Sequence, residues 1–214
     1  MKNSRKIFVV AVCFFVLFVL WTLVVRFADG RAIGPLDSRV GMASLNGAFH
    51  HLIGVHMVLY TITDWLGLVP VALALGFAIL GLVQWIRRKK LWKVDFDILA
   101  LGGFYIVTMA AYILFEYVVI NYRPVLIAGI REASYPSSTT MLVMCVMPTA
   151  AMQFNSRIKN LVIKRGISLL IAVFVVFMVI GRLVSGVHWF TDIVGGVILS
   201  GGLVLLYRFF SGLE

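Results

Sequence analysis

Long apolar runs separated by short clusters of charge give the chain its pattern. Six runs approach the ~20 residues that cross a hydrocarbon core: 7–25, 66–86, 97–120, 137–154, 166–184 and 190–210. Each predicts a membrane-spanning helix. The first follows Lys2, Arg5 and Lys6, as the core of a signal peptide does. Its apolar run exceeds the roughly 7–15 residues of such a core, and no small-residue cleavage pattern follows, so it is read as a retained span. Segment 37–65 is less apolar, moderately amphipathic and ends on Trp65, which predicts one or two short helices along the membrane surface. The expected fold is therefore all-α and polytopic. It is a six-helix transmembrane bundle with short interfacial helices, forming a single membrane domain over 1–214.

Charge sets the expected orientation. Lys2, Arg5 and Lys6 precede the first span, and Arg87, Arg88, Lys89, Lys90 and Lys93 separate the second from the third. Arg157, Lys159, Lys164 and Arg165 separate the fourth from the fifth, and Arg208 lies near the end. Every lysine falls in this alternate set of breaks, so both termini and these two loops are expected in the cytoplasm. Residues 26–65, 121–136 and 183–189 then lie on the outer face. Short loops without a large soluble domain suit a bacterial plasma membrane.

Composition narrows the class. Hydrophobic residues make up 62% of the 214, charged residues 13%, and the mean hydropathy is +1.03, which excludes an ordinary soluble protein. The net charge of +10 lies in the breaks between spans and not along a polar stripe, so nucleic acid is not an expected partner. Cys13 and Cys145 fall inside spans and read as small buried hydrophobes. His50, His51 and His56 read as interfacial histidines, since no carboxylate or cysteine ligands accompany them. Gly195, Gly196, Gly201 and Gly202 are expected to permit close helix packing.

The candidate chemistry lies on the outer face. Ionisable groups at membrane depth are costly and mark sites, and GRLVSGVHWFTD holds Arg182, His188 and Asp192. His188 and Asp192 are four residues apart, so on a helix they share a face. The carboxylate could hold the imidazole in one tautomer and leave its other nitrogen free to attack. Arg182 offers a planar fork of donors suited to phosphate or carboxylate, and Arg123 precedes Pro124 after the third span. Pro136, Ser137, Ser138, Thr139 and Thr140 open the fourth span, where hydroxyls read as caps and free amides read as an anion site. Two arginines converging there favour a tetrahedral, doubly charged oxyanion. The chain has no nucleotide loop, no HExxH pair and no carboxylate cluster for a metal, so no cofactor is expected.

Three of these fragments, in this order, resemble the type-2 phosphatidic acid phosphatase superfamily over about residues 66–210. The family's pattern is Lys, six residues, Arg-Pro; then Pro-Ser-Gly-His; then Ser-Arg, five residues, His, three residues, Asp. Arg123-Pro124 matches the end of the first part and Pro136-Ser137 the start of the second, with Ser138 at its Gly. Arg182, His188 and Asp192 match the third at the correct spacing, with Gly181 at its Ser. The resemblance implies a metal-independent phosphohydrolase in the bilayer acting on a lipid phosphate. His188 would attack phosphorus, Asp192 would orient it, and Arg123 and Arg182 would bind the phosphoryl oxygens beside Ser137, Ser138 and backbone amides.

Two positions depart from the pattern. The family's lysine falls on Glu116, and the histidine that protonates the leaving oxygen falls on Thr139. Losing general-acid catalysis typically costs ~10²–10⁴-fold. Three readings follow. The substrate could be a lipid pyrophosphate, such as a polyprenyl pyrophosphate, whose leaving phosphate needs little protonation. Glu116 could be protonated near the interface and supply the acid, or else pair with Arg123. The fold could instead have kept lipid-phosphate binding or transport without hydrolysis. Oligomeric state is not readable.

Overall fold

The computed structural model describes residues 2–213. The ends of the expected 1–214 domain, Met1 and Glu214, and the side chains of Lys2 and Asn3 lie outside that description. Six long helices fall on the six predicted runs: α1 (Lys2–Phe27), α4 (Leu68–Arg88), α5 (Phe96–Tyr117), α6 (Ser138–Arg157), α7 (Leu161–Val184) and α8 (Phe190–Ser211). Two short helices, α2 (Ala43–Ile53) and α3 (Met57–Leu66), occupy the amphipathic segment. The strands β1 (Arg31–Ala32) and β2 (Arg39–Val40) pair antiparallel as a two-residue ribbon beside them. The fold is an all-α polytopic membrane bundle.

Five stretches are long and apolar enough to cross a bilayer among the described residues, and one of them joins α3 to α4 as Met57–Arg88. Segment 37–65 is thus less separate than its pattern suggested. Gly67 keeps a right-handed helical backbone between the two helices, while Pro70 has no N–H for the Leu66 carbonyl and so breaks the ladder there. The fourth run, α6, falls short of that apolarity; it is packed by α4, α5, α7 and α8 and needs little lipid-facing surface. Its polar groups find protein partners. Gln153 donates to the Tyr207 hydroxyl at 2.5 Å, and Thr149 returns its hydroxyl to the Cys145 carbonyl at 2.8 Å.

Packing follows the small residues. The α1 helix lies along α8, where a Cβ on Gly201 would come within 2.8 Å of the Phe14 ring. Gly201 therefore lets the two helices approach, as its position predicted. The core runs from Phe18 and Val25 through Phe104 and Met141 to Leu199 and Tyr207. Cys145 is buried as expected, but Cys13 is exposed on the outward side of α1, where lipid and not protein is its natural neighbour.

The ends of the bundle differ in chemistry. One end carries the lysine-rich breaks and is tied by ion pairs from Arg88 to Asp95 (2.7 Å) and from Arg157 to Asp97 (2.8 Å). The other end gathers α2, the 118–137 segment and the 185–189 turn, and all candidate site residues lie there.

Candidate active site

The 185–189 turn positions His188. Gly186 adopts φ +68° and passes so close to the α2–α3 connection that a Cβ would sit 2.0 Å from the Gly54 carbonyl oxygen. Only glycine meets both demands. The turn is held from outside by the His56 amide, which donates to the Ser185 carbonyl at 3.0 Å, and by His50 Nε2, 3.2 Å from the Gly186 carbonyl. Two of the interfacial histidines thus strap the turn in place.

Asp192 stands at the third position of α8 and its Oδ2 accepts from the Trp189 amide at 2.8 Å, half of a capping box. Its own carbonyl accepts from the Ser137 amide at 3.0 Å, which docks the start of α6 onto the start of α8. The sequence placed Asp192 and His188 on one face, and they are close. However, Asp192 Oδ2 lies 3.9 Å from His188 Nδ1, beyond a hydrogen bond. The Ser134 hydroxyl stands between them, 3.0 Å from Nδ1 and 2.5 Å from Oδ2.

Donor and acceptor identities fix the protons. Arginine has only donors, so Arg182 Nη2, 3.4 Å from His188 Nε2, requires that nitrogen to be unprotonated. The ring proton is therefore on Nδ1 and points to the Ser134 hydroxyl, which in turn donates a hydrogen bond to the Asp192 carboxylate. The imidazole is 3% exposed. Burial first, then the positive charges of Arg123 and Arg182, hold its pKa well below the ordinary histidine value. It is a neutral base with a lone pair on Nε2 at pH 7.

Both predicted arginines are buried, Arg182 at 1% and Arg123 at 8% exposure. Arg182 packs over the Tyr60 ring at 4.9 Å and lies 3.6 Å from the half-exposed Asp64 on α3. Arg123 Nε lies 3.0 Å from Glu132. Nevertheless Nε and Nη1 of each guanidinium have no aligned hydrogen-bond acceptor among the described residues. Arg123 Nη1 and Arg182 Nε are thus left open, while Arg123 Nε and Arg182 Nη1 face carboxylates without an aligned hydrogen bond.

The remaining candidates divide. Ser138 lines a polar cavity of about 450 Å³ with Arg123, Glu116, Tyr122 and Glu132. Ser137 is buried and caps α6, its hydroxyl accepting from the Thr140 amide at 3.4 Å. Two of the four amides that open α6 are thereby engaged, and those of Ser138 and Thr139 have no carbonyl in their own helix. Glu116 is exposed at the cavity edge and does not pair with Arg123 as its seven-residue spacing allowed. The helix ends at Tyr117, and beyond it Arg123 belongs to a hairpin in which its amide donates to the Glu132 carbonyl at 3.1 Å. Thr139 is half-buried and lines an apolar groove of about 540 Å³ between α4, α5 and α6, with Val71, Leu75, Met109 and Leu142.

Residues 70–212 match the PAP2 superfamily. The chain belongs to that superfamily. As a PAP2 protein it is also similar, at 21% identity and a TM-score of 0.60, to the first transmembrane PAP2 type phosphatidylglycerolphosphate phosphatase from Bacillus subtilis. That match covers 92% of this chain and 94% of the other. A comparison with curated proteins found no match. At this candidate site, sequence reasoning missed Ser134, Tyr60, Asp64 and Glu132. None of the four lies in the family's three fragments; Ser134 stands two residues before the Pro-Ser pair, and Asp64 could have been found as an acid inside an otherwise apolar stretch.

Proposed function

We propose that this chain is a membrane lipid phosphatase that works through a phosphohistidine on His188 and prefers a lipid pyrophosphate, a polyprenyl pyrophosphate in particular. The whole chain forms one membrane domain with both termini in the cytoplasm and the site at the outer face of the plasma membrane. One observation carries the reading: four buried guanidinium donors without an aligned hydrogen bond, two of them facing Glu132 and Asp64 only as ion pairs, accompany a neutral imidazole whose Nε2 lone pair meets only Arg182 Nη2 at 3.4 Å. A phosphoryl group satisfies those donors and presents phosphorus to that lone pair. Phosphoryl transfer relies on such positioning and charge stabilisation more than on covalent assistance.

In the first step Nε2 forms a bond to phosphorus, and the bond to the leaving oxygen breaks with its electron pair. Arg123 and Arg182 hold the phosphoryl oxygens, and the Ser138 hydroxyl and the amides of Ser138 and Thr139 extend the cradle. Ser137 is spent on capping and contributes through the helix end it forms. In the second step water attacks phosphorus and the electron pair returns to Nε2. Thr139 sits where the leaving group passes toward the apolar groove, and a hydroxyl is a poor acid at neutral pH. A leaving phosphate monoester needs no proton, whereas a leaving alkoxide does, which is the reason for favouring the pyrophosphate. The groove of Val71, Leu75 and Leu142 seats the hydrocarbon tail.

The test is phosphate release by purified protein across lipid monoesters and lipid pyrophosphates, with His188→Ala as control. Pyrophosphates should turn over faster, and His188→Ala should abolish turnover. Equal or inverted rates would reject the leaving-group argument. Tight lipid-phosphate binding with no turnover by the unmutated protein would assign the chain to binding or transport instead.

A further inference from the structure

We propose that Ser134 is a positioning residue that transmits the Asp192 charge to the His188 nucleophile; the catalytic part of this inference rests on the phosphohistidine reading above. The distances require an intermediary. At 3.9 Å the carboxylate cannot accept the Nδ1 proton, while the Ser134 hydroxyl lies 3.0 Å from Nδ1 and 2.5 Å from Oδ2. One hydroxyl can accept one hydrogen bond and donate another, so the order Nδ1–H to Ser134 to Asp192 is complete without a spare proton.

Ser134 is itself immobilised. It is 2% exposed, and its amide donates to the Asn121 carbonyl at 2.9 Å. Tyr122 bridges Ala133 across the same hairpin, and the Tyr135 hydroxyl is 2.7 Å from Thr22 on α1. The hairpin that fixes Ser134 also carries Arg123. Orientation of the imidazole and placement of one phosphate-binding guanidinium therefore depend on a single segment, and α8 alone sets neither.

During attack, the Nε2 lone pair becomes the nitrogen–phosphorus bond and the leaving oxygen departs with the phosphorus–oxygen pair. The ring becomes cationic while Nδ1 keeps its proton. That proton binds Ser134 more strongly, and the Ser134 proton binds Asp192 more strongly, so the new charge is stabilised without proton transfer. When water cleaves the nitrogen–phosphorus bond, the pair returns to Nε2 and the proton released by the water leaves with the phosphate product or solvent.

The experiment compares Ser134→Ala and Ser134→Thr with the unmutated protein, using nitrogen-15-labelled histidine and the His188→Ala spectrum to assign the His188 signals. The unmutated protein and Ser134→Thr should show Nδ1 protonated and Nε2 bare. Ser134→Ala should keep Nε2 bare, since Arg182 Nη2 still faces it, but its Nδ1–H signal should shift to that of a proton without the hydroxyl acceptor, and its kcat should fall roughly 10- to 100-fold, as when the outer partner of a functional imidazole is lost. Its KM should stay within about twofold, because the phosphate donors are untouched. A Ser134→Ala protein that keeps the wild-type Nδ1–H shift overturns the proposal, as does a Ser134→Thr protein that loses it equally. If the unmutated protein hydrolyses no lipid phosphate, the functional reading fails while the spectra still decide the role of Ser134.

Discussion

Replacing Arg182 with methionine separates a binding role from a structural one. The guanidinium is 1% exposed, and its Nε and Nη1 lack aligned acceptors among the described residues. If both donate to a phosphoryl group in the transition state, at ~1.5–3 kcal/mol for each charge-assisted bond, the variant loses about 3–6 kcal/mol. That is a fall in kcat/KM of roughly 10²- to 10⁴-fold. Stability should respond differently. A buried charge with unmade hydrogen bonds is expensive, and apolar replacement of buried ionic groups is often neutral or stabilising by ~1–4 kcal/mol. Three contacts oppose that gain, one of them the long 3.4 Å bond to His188 Nε2. The Tyr60 ring interaction is worth about 0.5–2 kcal/mol. The Asp64 pair at 3.6 Å contributes little, because a carboxylate side chain 57% exposed returns to water when its partner is removed. Arg182→Met should therefore melt at or above the wild-type temperature in detergent while releasing phosphate at about 1% or less of the wild-type kcat/KM, a loss of at least the ~10²-fold that opens the ~10²–10⁴ range. A variant that melts far below wild type would refute the reasoning, because the arginine would then be structural. So would one that keeps more than about a tenth of kcat/KM, since two lost bonds cannot cost so little.

Two further outcomes follow from the same geometry. His188 lies in the turn between α7 and α8 and its pKa is depressed by burial and two arginines, so the nucleophile stays neutral in acid and the acidic limb of kcat/KM should lie below pH ~6.5 once substrate ionisation is subtracted. Below that pH an unfolded chain takes a proton that the folded ring refuses, so the melting temperature should also fall with pH; a limb at or above 6.5 contradicts the buried neutral imidazole. Thr139→His places an imidazole at the leaving-group side and should raise phosphate release from lipid monoesters by up to ~10²–10⁴-fold while changing the pyrophosphate rate little, and a monoester rate that does not rise rejects the missing-acid account.

The helices were legible because lipid imposes one rule on all of them, and the lysines between them fall only in alternate breaks. Where protein replaces lipid as the neighbour, the rule weakens. The α6 helix carries Thr140, Thr149 and Gln153 at buried positions and falls below the apolarity of a lipid-facing span. Its hydrogen-bond partners come from α5 and α8, which hydropathy cannot register. The site shows the same boundary. Arg182, His188 and Asp192 lie within eleven residues, so spacing alone brought them together. Ser134 reaches them through a hairpin whose pairings, Arg123 to Glu132 and Ser134 to Asn121, join residues with no periodic relation. For the same reason helical spacing pointed from Arg123 to Glu116, although the helix had ended six residues before the arginine.

Asp192 performs two tasks that bind fold and chemistry together. One oxygen, Oδ2, accepts from both the Trp189 amide and the Ser134 hydroxyl, so the group that starts α8 is also the end of the relay to His188. Its carbonyl holds Ser137, and with it the amide-bearing end of α6. Loss of the carboxylate therefore uncaps a helix and frees an imidazole at once, and an activity loss at Asp192 cannot by itself be assigned to chemistry. Ser134 lacks that ambiguity, since it caps nothing and its hydroxyl touches only the ring and the carboxylate among the described residues. Orientation of the nucleophile is accordingly best probed at the hydroxyl, and capping at the carboxylate.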